Sequence, residues 1–208
     1  MVDWKHPVEK PLNTVVFVAM GPSKLAWVNS RIDMNPDIEP DQLWTLNAGA
    51  DWVGNADLTF YMDDLLDQFE RFPGTAKKLK KLRCPIITTV PYPQLELQAP
   101  QFQYPLEDVL KFVGPSQAYF VNSVPYVIPY ALMIGVKRLI MYGVDYDYPG
   151  IDARENGRAC CEFWIGWALA KGMLVQVTES SSLLDARKGR TFYGYLRQPI
   201  IIEGEPPK

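Results

Sequence analysis

Short apolar runs alternate with longer stretches of helical period along most of this chain, and their order predicts a fold class. TVVFVA, starting at Thr14, is β-branched, ends at Met20 and Gly21, and reads as a buried strand. SKLAWVNSR then reads as a helix opened by Ser23, whose hydroxyl suits an N-cap. LWTLN (43–47) and LTFYM (58–62) are two further strands, the second leading into one long helix from about Asp64 through a lysine-rich run. CPIITTV (84–90) makes another strand. From Pro91 to Pro105 no period is sustained, and Pro, Gln and Tyr dominate. That stretch is expected to be a mobile excursion over the mouth of a site. A helix from about Pro125 to Gly135 feeds the strand RLIMY (138–142), which breaks at Gly143 and Asp145. ENGRACCEFWIGWALAK reads as the next helix and MLVQV as the last strand. Alternating short strands and helices imply a parallel sheet covered on both faces, because parallel strands need crossover connections. The expectation is therefore a single α/β domain over 1–208 with a Rossmann-like parallel sheet, its core running from about 14 to 185.

Composition narrows the picture. The chain has 208 residues, of which 48% are hydrophobic, enough to bury a substantial core. The net charge of -3 carries no overall footprint for nonspecific nucleic-acid binding. The local run KKLKKLR (77–83) reads as the solvated face of a helix. Cys84, Cys160 and Cys161 lack metal-ligand spacing, and adjacent cysteines do not easily bridge each other. No run approaches the roughly 18 apolar residues of a membrane span, and MVDWKHPVEKPLN has no apolar signal core. A cytoplasmic protein without membrane association is expected. The 12% aromatic content suggests rings lining a cleft or a homo-oligomer contact. His6 is the only histidine, which disfavours a histidine-dependent triad or a histidine-rich metal site.

In parallel sheets of this kind ligands bind beyond the carboxyl ends of the strands, so the turns there are the candidates. Gly21, Pro22 and Ser23 form a rigid turn in which the glycine permits close backbone approach. The turn matches neither a GxGxxG fingerprint nor a Walker loop. Asn47 and Ala48 end the second strand, with an amide able to hold a base or ribose edge. Asp63 and Asp64 follow the third; one can cap a helix while the other faces the cleft, and metal binding by the pair is unspecific. The richest turn, GVDYDYPG (143–150), presents Asp145, Tyr146, Asp147 and Tyr148 directly after a strand. Its carboxylates can hold a sugar hydroxyl or act as a base, and its phenols can bond a phosphate. Ser180, Ser181 and Ser182 offer hydroxyls after the last strand, for a ligand or for capping.

Together VFVAMGPSK, TLNAGADW and NSVPYVIPYALMIGVKRLIMYGVDYDY resemble a Rossmann-like superfamily. It contains the bacterial lipooligosaccharide sialyltransferases, the motility-associated glycosyltransferase-like proteins and the archaeal-type 6-hydroxymethylpterin diphosphokinases. The third segment is the most specific, and the resemblance covers most of residues 14 to 185. It implies that Gly21, Ser23, Asn47, Ser123, Gly143 and Asp145 line a nucleotide and that Tyr146 and Tyr148 contact its phosphates. Two features depart from the sialyltransferase branch. That branch places a histidine base later in the chain, whereas no histidine follows His6 here, and its Ser-Ser-Gly-type turn is Asn122-Ser123-Val124. A small member without a membrane-association segment also resembles phage-encoded versions, which implies a soluble or nucleic-acid acceptor.

The expected function is a nucleotide-dependent transferase, more glycosyl than phosphoryl, taking a nucleotide sugar. Asp145 would orient or deprotonate the acceptor, while Tyr146 and Tyr148 support the departing phosphate. One alternative is a diphosphokinase-like enzyme using a nucleoside triphosphate and a divalent metal held by Asp63, Asp64, Asp145 and Asp147. Another is a noncatalytic module that binds or sequesters nucleotides.

Overall fold

Residues 7–8, 11–32, 39–114, 117–147 and 151–184 are described by the computed structural model of the chain. Seven strands form one sheet: β1 (Thr14–Val18), β2 (Gln42–Leu46), β3 (Leu58–Tyr61), β4 (Ile86–Thr88), β5 (Gln101–Gln103), β6 (Arg138–Tyr142) and β7 (Leu174–Val177). Every pairing is parallel, and the order across the sheet is β5-β4-β3-β2-β1-β6-β7. The chain steps outward from β1 to β5, then returns to lay β6 on the other side of β1. This reversal between β1 and β6 is the topological switch point of a doubly wound sheet. The α/β Rossmann-like fold expected from the strand and helix alternation is thus the observed one.

Among the described residues seven α-helices complete the architecture: α1 (Leu25–Ile32), α2 (Gly49–Val53), α3 (Leu65–Arg71), α4 (Pro73–Leu79), α5 (Leu106–Val113), α6 (Val124–Met133) and α7 (Ile151–Ala170). Successive side chains on a strand point to opposite faces. Val15 and Phe17 of β1 therefore join the main core with α5, α6 and α7, while Val16 and Val18 pack with Trp27 of α1. Both faces of β1 are fully buried, which is why its sequence is an unbroken apolar run rather than an alternation. A third cluster sets Leu65 of α3 and Leu79 of α4 against Tyr61 and Ile86. No helix among the described residues is long and apolar enough to cross a membrane.

Several elements differ from the sequence expectation. The single helix expected from Asp64 is two, broken at Phe72, whose non-helical backbone precedes Pro73 at the first position of α4. The stretch after Pro91 is no loose cover over a site mouth. It forms a short 3₁₀ turn at Pro93–Leu95 and then β5, the sheet's edge strand, with Tyr92, Leu95, Ala99 and Tyr104 buried. Gln101 holds it in place, its side chain accepting from the Tyr92 amide at 2.7 Å and donating to the Tyr92 carbonyl at 3.2 Å. Helices α2 and α5 carried no expectation; α2 has only five residues, and its opening Gly49 imitates a turn.

The main core is rich in aromatic edges. Trp44, Phe60 and Tyr130 meet pairwise with centroids 5.4 to 5.7 Å apart, and Tyr104 stands 6.1 Å from Tyr130. Burial lifts the Tyr104 and Tyr130 phenols well above their ordinary range, so both stay neutral. Phe60 is fully buried at the centre of this group. Phe60→Ala is expected to cost about 3–5 kcal/mol, measured as a lowered urea midpoint at unchanged slope.

Candidate functional site

Because all strands are parallel, the turns after β1, β2, β3, β6 and β7 lie along one edge of the sheet. At the switch point these turns are sewn together. The Ala19 amide donates to the Tyr142 carbonyl at 2.8 Å, and the Gly21 amide to the Gly143 carbonyl at 2.7 Å. The Gly143 amide donates in turn to Ser23 Oγ at 3.0 Å. One carboxylate oxygen of Asp145 accepts from the Ser23 amide at 2.8 Å and the other from the Ser182 amide at 3.3 Å. Asp145 is thus a clasp joining the ends of β1, β6 and β7. Both of its oxygens are engaged by backbone amides, where an acceptor-facing role had been expected.

The glycines here follow from that closeness. A Cβ on Gly21 would collide with the Asp145 carboxylate and lie 2.7 Å from the Gly143 carbonyl oxygen. Gly143 has φ +68 and sits against the Ala19 carbonyl, so it needs both the left-handed backbone and the missing side chain. Ser23 is buried, and its hydroxyl serves Gly143 instead of capping α1. Pro22 is exposed in the 3₁₀ turn Pro22–Lys24 that leads into α1.

The serines after β7 complete the clasp. Ser181 is fully buried, donates to the Val144 carbonyl and accepts from the Leu183 amide at 3.0 Å. Ser182 Oγ accepts from the Tyr146 amide at 2.8 Å. Ser180 alone of the three is exposed, 3.4 Å from the Thr178 hydroxyl. Ser181 is therefore a structural bond maker rather than a lining residue. Glu162 of α7 fixes the end of this loop, accepting from the Leu184 amide at 3.1 Å and from Arg158 at 3.0 Å.

Tyr146 corrects a second expectation. Only 4% of it is exposed and it belongs to the main core, so it faces inward and not toward a ligand. Its hydroxyl takes a bond from Asn122 Nδ2 at 3.3 Å, and it lies over Gly157 of α7, where a Cβ would meet the ring 2.8 Å away and strike Asn122. The Tyr119 carbonyl anchors the chain before Asn122 to α7, accepting from Trp164 Nε1 at 2.7 Å and from Cys160 Sγ at 3.1 Å. Ser123 stands half-buried before α6 without a side-chain capping bond. Asp147 is exposed, and Tyr148 lies outside the described residues.

The open part of the edge lies over β1, β2 and β3. Asn47 adopts φ +52, which turns the chain into α2; its amide donates to the Phe60 carbonyl at 2.8 Å and its buried Oδ1 has no partner. Ala48 is half-buried at the start of α2. The two aspartates divide their work. Asp64 caps α3 through the Leu66 amide at 2.8 Å and the Asp67 amide at 3.3 Å. Asp63 is half-buried, and its charge adds to burial in pushing the Tyr61 phenol up to about 12. Lys24 of the turn after β1 and Trp52 of α2, which the sequence reading passed over, meet each other. Lys24 Nζ donates to the Met20 carbonyl at 3.1 Å and lies 5.2 Å above the Trp52 ring. The only advance signal for Lys24 was its place directly after Gly-Pro-Ser.

The four carboxylates proposed as metal ligands do not converge. Among the described residues no three His, Cys, Asp or Glu side chains are placed to hold one ion. A groove of about 600 Å³ lined by Trp27, Leu43, Trp52 and Asp57 lies on the α1 and α2 face. It reaches the starting ends of β2 and β3, away from the strand-end turns.

No family model matches the sequence, and no curated protein does. Solved structures do resemble it. An α-2,3-sialyltransferase from Campylobacter jejuni in apo form is 16% identical, over 86% of this chain and 80% of that one, at a TM-score of 0.51. The sialyltransferase CstII from the same organism, in complex with CMP-3FNeuAc, is 12% identical over 83% of each chain at a TM-score of 0.49. With cytidine-5'-monophosphate bound, CstII is 15% identical over 84% of this chain and 83% of its own, at a TM-score of 0.48. The first of these likenesses shows that the chain shares that enzyme's fold.

The clasp can be measured. Asp145→Asn keeps the shape but removes the charge, and is expected to lower unfolding free energy by roughly 1.5–3 kcal/mol. Gly21→Ala should cost a comparable amount, about 1–3 kcal/mol, by displacing the same carboxylate. Since both act on one contact, the double variant in a urea denaturation cycle should lose clearly less than the sum. Additive losses would mean that Gly21 and Asp145 are not coupled.

Proposed function

We propose that this protein is a nucleotide-dependent glycosyltransferase that binds a nucleotide sugar over the ends of β1, β2 and β3. The observation that carries the reading is the unoccupied hydrogen-bonding capacity at that edge: the buried, unpaired Oδ1 of Asn47 at the end of β2 and the half-buried carboxylate of Asp63 after β3. A ligand amide or hydroxyl would satisfy the first, since a buried acceptor left without a donor costs free energy. The fold shared with an α-2,3-sialyltransferase supports the reading by analogy.

In the proposed reaction Asp63 takes the proton of an acceptor hydroxyl as that oxygen attacks the anomeric carbon. The bond from that carbon to the donor phosphate oxygen breaks, and the nucleotide departs with its phosphate. Asp145 acts through the clasp as a positioning residue. The phosphate-supporting phenol is Tyr148, because Tyr146 is turned into the core. A noncatalytic nucleotide-binding module is the second reading, favoured by the engagement of both Asp145 oxygens.

A thermal-shift screen against CMP and UDP sugars, their free nucleotides, and ATP with magnesium separates these. A ligand at about 100 times its Kd adds roughly 2.7 kcal/mol of stability. Under the first reading a nucleotide sugar stabilises the protein and is slowly hydrolysed. Stabilisation without turnover selects the noncatalytic module, and stabilisation only by ATP with magnesium selects the phosphoryl-transfer alternative. In the first case Asp63→Asn should abolish turnover with donor binding retained. Tyr148→Phe should slow transfer by about tenfold to a hundredfold, as loss of a bond to a charged phosphate implies, while Tyr146→Phe should leave the rate near wild type. A slow Tyr146→Phe enzyme with a normal Tyr148→Phe enzyme would reverse the assignment.

A further inference from the structure

We propose that Lys24 is the cation that neutralises the ligand's phosphate, leaving its resting place over Trp52 to do so; this rests on the nucleotide reading above. The charge pattern of the edge motivates it. Among the described residues of the turns that follow the strands, Lys24 is the only Lys or Arg, whereas Asp63, Asp64, Asp145, Asp147 and Glu179 all carry negative charge there. A phosphate entering such a surface is repelled unless a cation meets it, and a lysine ammonium does so as a point charge with three donors.

Lys24 is placed and held in a way that suits this task. It sits in the 3₁₀ turn after β1, half-exposed. Among the described residues the ammonium has two holds, the Met20 carbonyl at 3.1 Å and the Trp52 ring at 5.2 Å, and none of the described salt bridges involves it. Both holds are with uncharged groups and are weaker than a bond to a phosphate dianion, so a phosphate would win the ammonium without first breaking an ion pair. Beneath it the ends of β1 and β2 approach closely. A Cβ on Gly49 would lie 3.3 Å from Thr45 and 3.5 Å from Met20 Sδ, and Asn47 with its unpaired oxygen stands two residues before that glycine. The cation thus stands in the turn after β1, and Asn47 ends the neighbouring strand β2. On leaving, it uncovers the face of Trp52, an indole already 39% exposed.

The test compares ligands with and without phosphate: cytidine against CMP, and uridine against UMP, titrated by calorimetry into the full chain. Lys24→Gln is expected to weaken the nucleotide by ~10- to 100-fold while changing nucleoside affinity by less than about twofold, the pattern of a lost charge-assisted bond. Lys24→Arg should restore most of the nucleotide affinity. Nucleotide, and not nucleoside, should change the emission of Trp52, seen as the difference between wild type and Trp52→Phe. Equal losses for nucleoside and nucleotide in Lys24→Gln, or no loss for either, would overturn the role. So would a phosphate-specific loss found instead in a variant with Arg187, Lys188 and Arg190, outside the described residues, all changed to Gln. Failure of the wild-type protein to bind any of the four ligands would overturn the nucleotide reading itself, and Lys24's part with it.

Discussion

One carboxylate holds the working edge of this protein together. Asp145 accepts backbone hydrogen bonds from two segments that lie far from it in sequence, the turn after β1 and the loop after β7. Bonds of this charged kind contribute roughly 1.5–3 kcal/mol each, a sizeable part of the 5–15 kcal/mol by which ordinary domains are stable. The arrangement dictates its neighbours. Gly21 must lack a side chain for the carboxylate to fit, Gly143 must turn left-handed to bring Asp145 back toward β1, and Ser23 must be small and polar to receive the Gly143 amide.

The clasp also occupies space at the strand-order reversal. In doubly wound sheets the crevice at the strand-order reversal is the usual binding place. Here the protein fills part of that crevice with its own anion, set on the amide of the turn that opens toward α1. Over the ends of β2 and β3, by contrast, Asn47 keeps an unpartnered side-chain oxygen and Asp63 a half-buried carboxylate. The division between consumed and available polar groups separates the scaffold residues from the candidate site residues more sharply than their residue types do.

Six of the seven strands were legible: β1, β3, β4 and β6 because a strand buried on both faces is a conspicuous run of apolar residues, β2 because most of its residues are apolar, and β7 because its buried and exposed positions alternate. β5 was hidden: its three residues, Gln-Phe-Gln, sit among prolines, and their only apolar side chain is Phe102. The turns on the working edge were also legible, since each follows a readable strand. Their division of labour was not. Nothing local tells that the carboxylate of Asp145 meets an amide 122 positions away, or that Tyr146 points inward. One local mark of the latter existed. Gly157 interrupts an otherwise good helical sequence, and an isolated glycine in a helix often marks a close approach by something else, in this case the Tyr146 ring.

The two margins of the sheet are finished differently. β5 is three residues long and bracketed by Pro100 and Pro105, so it offers few free amides to another chain and those only over a short span. β7 is longer, carries no proline, and leaves the Leu174 side chain 61% exposed. Among the described residues, then, the border beyond β7 is the one whose backbone could pair with a further strand, from the same polypeptide or from a second molecule. Crowded expression or partial unfolding would put its self-association risk on that side of the protein, and a charge placed at Leu174 would guard it.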